Sequence, residues 1–192
     1  MPLPEEVLLA SVPMRPGPEV LRAAFRDLHG TRLYGFALLV TLGDRARAAR
    51  LTSDALAAGT ARTEELRHPE RAAAWLRRQV MRHAGRGPSS VDRSAAAPGL
   101  ALEEMGVDAP VFAGLSVLTT RERGALVADS VEGLDQGDVA TVVGVDGARL
   151  DRLLGKARDR YAVAVADALD EGSPHEGPRV ARIRAIAARA LR

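Results

Sequence analysis

Apolar residues return at helical intervals along most of this chain. Val20, Leu21, Ala24, Phe25 and Leu28 share one face, and Pro18-Glu19 suits the opening turn of a helix through Leu28. His29-Gly30-Thr31 predicts an interruption. Leu33 to Leu42 is apolar nearly all round, as expected of the central buried helix of its domain. Gly43-Asp44 reads as a stop and a fresh start. A third helix then runs from Asp44 to Ala58, with Ala48, Leu51, Thr52 and Leu56 inward and Arg45, Arg47, Arg50 and Asp54 outward. Gly59 is expected to end it. After a short polar connection, Pro69 starts a fourth helix through His83. That helix buries Ala72, Trp75, Leu76, Gln79 or Val80, and His83 in varying degree, and leaves Arg71, Arg77, Arg78 and Arg82 available. Gly85, Gly87 and Pro88 terminate it.

Periodicity then lapses. The stretch 86–110 contains Gly-Pro-Ser-Ser and Ser-Ala-Ala-Ala-Pro-Gly, little apolar rhythm and at most a helical turn at Leu100 to Met105, which marks a linker. A second helical block occupies 111–170. Thr119 or Thr120 is placed to cap the helix that follows, with Glu122 near capping-box spacing, and Gly133 ends it. Leu134 to Tyr161 then reads as helix, tight turn and longer helix. Val139, Ala140 and Val143 make the apolar side of the first helix. Gly144 takes the turn and Asp146 stands at the next N-cap. In the second helix Leu150, Leu153, Leu154, Ala157 and Tyr161 fall together. Arg149, Arg152, Lys156 and Arg160 follow steps of three and four as a separate stripe beside them, and Asp151 projects from the opposite side. A helix buried along one side with a cationic ridge beside it is what a DNA-reading helix-turn-helix needs. An ordinary amphipathic helix with solvated arginines accounts for the same pattern.

The ends differ in character. Residues 1–17 carry four prolines and read as an extended arm with no basic leader of the kind a signal peptide has. Residues 171–192 make a hinge and then a basic amphipathic helix, with Val180, Ile183, Ala187 and Leu191 on one side, suited either to packing on the preceding domain or to docking elsewhere. The expected architecture is therefore all-α: a proline-rich arm, a helical domain over 18–85, a linker, a helix-turn-helix domain over 111–170 and a C-terminal basic helix.

Composition narrows the chemistry. Aromatic residues make up 3% of the chain, so its cores must be aliphatic and alanine-rich, which favours helices. The formal net charge is only +2, so nucleic-acid binding depends on where the cations sit rather than on their total. Without cysteine there are no disulfides, no thiolate catalysis and no cysteine-ligated zinc. His29, His68, His83 and His175 lack zinc-helix spacing, and there is no Walker loop, dinucleotide fingerprint or nucleophile elbow. These patterns point away from an enzyme and call for no metal or cofactor. The longest apolar run, Leu33 to Val40, is too short to cross a bilayer, so a cytoplasmic protein without membrane insertion is expected.

A four-helix block, a linker and a helix-turn-helix block, in that order, resemble the extracytoplasmic-function sigma factors, small two-domain initiation factors of bacterial RNA polymerase. The most specific part is Leu118 to Tyr161. There Arg121, Glu122, Arg123, Glu132, Gly133, Leu134, Val139, Ala140, Val143, Gly144, Leu150, Leu154, Ala157 and Arg158 occupy the family's characteristic places. The resemblance implies core RNA polymerase and promoter DNA as partners, with room for an anti-sigma factor or another regulatory protein, and hence nucleoid association. It assigns Arg149, Arg152, Lys156 and Arg160 to upstream duplex DNA. It assigns Trp75, within Ala74-Trp75-Leu76, and Arg77, Arg78 and Arg82 to the melted strand. For Trp75, filling a core is the alternative to stacking on a base. Asp44, Arg50, Leu51, Ser53 and Asp54 fall where the family grips polymerase. Arg50 reverses the acidic charge usual there, Asp151 and Leu153 depart from the common basic or polar choices, and the Trp75 helix stops early. These departures motivate an alternative, a degenerate sigma-like regulator that binds polymerase, another sigma factor or promoter DNA without initiating transcription.

Overall fold

The computed structural model describes residues 17–63, 65–66, 68–85 and 98–171. The proline-rich arm, the first part of the predicted linker and the C-terminal basic segment lie outside these residues. Everything described is helical or turn, with no strand among the described residues.

Helix α1, Pro18–Val40, is continuous where an interruption at His29-Gly30-Thr31 was expected. One glycine inside a helix costs only about 1 kcal/mol. The burial of Phe25, His29, Leu33 and Phe36 along the same side outweighs that cost. The helix ends at Thr41, whose hydroxyl donates to the Ala37 carbonyl at 2.8 Å, and the chain reverses through positive φ at Leu42 (58°) and Gly43 (86°). Asp44 then caps helix α2, Arg45–Thr60, by accepting from the Arg47 amide at 2.9 Å. Gly59 stands one residue before the end of α2 and also lets the helix approach its neighbours. A Cβ there would stand 2.9 Å from Leu76 Cδ2 and from the Phe25 ring. Helix α3, Pro69–Ala84, buries Ala72, Ala74, Leu76, Arg77, Val80 and Ala84.

From Pro98 onward the predicted linker is part of the folded body. Helix α4, Pro98–Glu103, places Ala101 and Leu102 in the core, and Glu104 pairs with Arg45 of α2. Asp108 caps helix α5, Ala109–Ser116, through the Val111 amide at 3.0 Å. Thr119 and Glu122 close a capping box on helix α6, Thr120–Leu126, which runs into a π-helical turn, Val127–Val131. Helix α7, Gln136–Val143, is capped by Asp135 and ends at Gly144 (φ 68°). Helix α8, Gly147–Glu171, is the longest.

The expected two separate bundles take another form. One continuous core joins Leu33, Phe36, Leu76 and Val80 to Leu102, Val127, Val139, Val142, Leu150 and Leu154. Helix α3 packs along α7, and α1 touches α6 and the π-helical turn. Two contacts show why. Met81 of α3 seats where Gly124 of α6 has no side chain; a Cβ there would meet its sulfur at 2.4 Å. The buried Arg123 guanidinium donates to the carbonyls of Leu115, Leu118 and, across the halves, Val40, at 2.9, 2.8 and 2.6 Å. Burial pushes its pKa down to about 10, and three carbonyls supply the bonds that water would otherwise give the cation.

Candidate nucleic-acid interface

Local sequence builds the helix-turn-helix. Val139, Val142 and Val143 are buried on α7, while Ala140 is half-buried. Gly144 adopts the left-handed conformation that closes α7 against the Ala140 carbonyl. Asp146 accepts from the Arg149 amide at 2.9 Å and orients the first turn of α8. Leu150, Leu154 and Ala157 bury one face of α8 and fix its rotation. That rotation decides which cations remain free.

The predicted ridge divides into a free part and an anchored part. Arg149 and Arg152 are exposed. Arg149 Nε lies 3.5 Å from Asp146, and Arg152 donates only to the Ala148 carbonyl of its own helix, at 3.2 Å. The Lys156 side chain is 70% exposed, with its ammonium 3.8 Å from the buried Glu122 carboxylate. Arg160 is anchored: it donates to Glu122 at 2.6 Å and to the Val117 carbonyl. Its assignment to DNA is therefore corrected, because the two ends of its guanidinium fasten α8 to the first turn of α6 and to the α5–α6 connection.

Glu122 is the group that the sequence reading missed in this role. Burial pushes its carboxyl up. The bonds from Thr119 and the charges of Arg160 and Lys156 outweigh that, so it titrates below its ordinary value. Its partners on α8 are remote in sequence, so only its capping function was legible.

The α3 residues separate in the same way. Arg77 is buried: it donates to the Ala73 carbonyl at 3.0 Å, pairs with Glu132 and lies 5.7 Å from the Phe36 ring centre. It cannot hold a nucleic-acid strand in this arrangement, and its assignment is corrected to core ion pair. Trp75 is half-buried with the Arg62 guanidinium 5.8 Å from its ring centre, so one face is already covered. Arg78 and Arg82 are exposed; Arg78 reaches the Thr141 carbonyl of α7 at 3.4 Å. His83, expected to be partly buried, is exposed.

Of the residues assigned to polymerase, Arg50, Ser53 and Asp54 are exposed on α2. Leu51 is in the core and the Asp44 carboxylate caps α2, so neither is presented to a partner as expected. Among the described residues no group of three or more His, Cys, Asp or Glu is placed to hold a metal ion, and no helix is long and apolar enough to cross a membrane. Comparison with protein-family models, curated proteins and solved structures finds no match for the chain.

Proposed function

We propose that this chain is a divergent sigma-type factor that binds core RNA polymerase and directs it to promoter DNA. The observation that carries the reading is α8, the second helix of a helix-turn-helix, presenting Arg149, Arg152 and Lys156 to solvent from its first three turns. Arginine can clamp guanine O6 and N7 in the major groove, and each cation can displace counterions from phosphate. The family pattern over Leu118 to Tyr161 supplies the link to transcription. Exposed Arg50, Ser53 and Asp54 on α2 are the side chains left for polymerase. The factor carries out no bond chemistry itself. The test is capture of core polymerase by the purified chain, followed by transcription with it as the only sigma factor. No binding at low salt eliminates the proposal.

A second reading is a regulator that occupies polymerase or another sigma factor without starting transcription. What favours it is the burial of Arg77 on Glu132, which removes one cation expected on the melted strand and ties α3 to the helix-turn-helix block. It expects a stable protein complex and no initiation; productive transcription refutes it.

A further inference from the structure

Arg71, Trp75, Arg78 and Arg82 recur at steps of four, three and four on α3, so they form one stripe. Beside the stripe, α3 is locked to the second block by Met81 on Gly124 and by Arg77 on Glu132. The stripe is therefore held in fixed relation to the helix-turn-helix, with α3 packed along α7.

The two ends of the stripe have different electrostatic surroundings. Arg71 lies near Asp138, whose carboxyl is pushed up by burial and by the nearby Asp135 and Glu70 charges, and drawn back by Arg71. Arg71 thus stands near an acidic group of α7. Arg78 instead reaches the last turn of α7, at Thr141, three residues before Gly144. Arg82 follows one turn further along the same stripe. Arg149 and Arg152 begin α8 just beyond that turn. Arg78 is thus placed at the end of α7, and the α7–α8 turn leads from there to exposed Arg149 and Arg152, with Asp146 and Asp151 as the acidic residues beside them.

We infer that Arg78 and Arg82 belong to the same duplex footprint as Arg149 and Arg152, gripping the phosphate backbone beside the groove that α8 enters. In this arrangement α3 reinforces one contiguous duplex site and does not serve a distant melted strand. The inference rests on the reading of α8 as a duplex-binding helix. Its physical basis is counterion release: each phosphate neutralised adds about 0.9 to the slope of log affinity against log salt.

The experiment titrates the full chain, and its R78A/R82A, R71A and R152A variants, against a labelled duplex of about three helical turns and against its single strand, between about 0.05 and 0.2 M salt. All four arginines are exposed, and circular dichroism checks that each variant folds. The expected result is a duplex slope about 1.8 units shallower for R78A/R82A, so its affinity falls about twelvefold less than the parent's over that fourfold rise in salt. R71A should flatten the slope less, because the Asp138 carboxylate lies near Arg71. An unchanged slope for R78A/R82A, with R152A still flattening it, overturns this inference and leaves the α8 reading standing. An R71A effect as large overturns it too, since position would then not matter, as does a loss confined to the single strand. A parent chain that does not bind duplex at all removes both the inference and the α8 reading.

Discussion

Replacing Glu132 with alanine tests whether the two helical blocks are one folded unit. Arg77 and Glu132 come from opposite blocks, and their side chains are only 4% and 14% exposed. In the variant the guanidinium stays buried and positively charged. It keeps the Ala73 carbonyl and the Phe36 ring but loses the anion it pairs with among the described residues, and its Nε has no hydrogen-bond partner there. Breaking a buried pair on one side costs about 3–5 kcal/mol. Taking about 4 kcal/mol, the folded-to-unfolded ratio falls by about a thousandfold, a large share of the roughly 5–15 kcal/mol typical of a whole domain. Removing both charges as R77M/E132M should restore much of the loss, because well-packed apolar replacements of a buried pair are often neutral or stabilising. The assay is urea denaturation followed by helical circular dichroism, for the parent, E132A, R77M, E132M and R77M/E132M, so that the methionine cycle isolates the coupling. One transition is expected for the parent, because the core is shared. A loss below about 1 kcal/mol in E132A would show that the pair is solvated. Two separate parental transitions would refute the shared core itself.

Four further outcomes follow from the packing and the charges. G114A should destabilise more than G124A: its Cβ would meet the stiff Tyr161 ring at 2.6 Å and Val165 at 2.7 Å, whereas Gly124 faces flexible Met81. Losses of about 2–3 and about 1 kcal/mol in thermal or urea unfolding are expected, and the reverse order would refute the packing at these sites. R123K should lose about 2–3 kcal/mol, because one ammonium cannot serve three carbonyls arranged for a guanidinium fork; parental stability would show that those bonds are dispensable. R160A should lower stability and leave the salt slope of duplex binding unchanged, while R152A should do the opposite. His29 is held below its ordinary value of 6.5 by burial and then by the Arg77 charge. The unfolded chain therefore takes up its proton first, so the stability contributed is complete above about pH 6.5 and is lost as pH falls towards the folded value. The H29L variant should flatten that slope below about pH 6.5; Glu122, also held below its ordinary value, contributes its own loss as pH falls through 4.5.

The second block was more legible in the sequence than the first. Thr119 with Glu122, Asp135 and Asp146 act within three residues of themselves, and Gly144 supplies its own backbone conformation, so these caps and turns needed no distant partner to be read. The break expected at Gly30 was misread because a glycine signals only a local cost, while the gain that overrides it comes from Phe25, His29 and Leu33 packing on other helices. Gly59 stands one residue before the end of α2, close to the stop it signals, but its close approach to Leu76 and Phe25 depends on other helices and was not legible.

For the candidate interface, sequence spacing established that Arg149, Arg152, Lys156 and Arg160 share a stripe, because side-chain direction on a helix is a matter of local geometry. It could not rank them. Ranking depends on which cations meet a buried anion, and Glu122 reaches Arg160 from 38 residues away. The same holds for Arg77, which is indistinguishable in sequence from Arg78 and is separated from it only by the side of α3 that meets Glu132. Sequence by itself determined that the described chain is helical, where most helices begin and which residues line each face. The tertiary structure alone decided that the blocks share one core and which arginines remain in water, since burial and ion pairing depend on long-range neighbours that local periodicity does not encode.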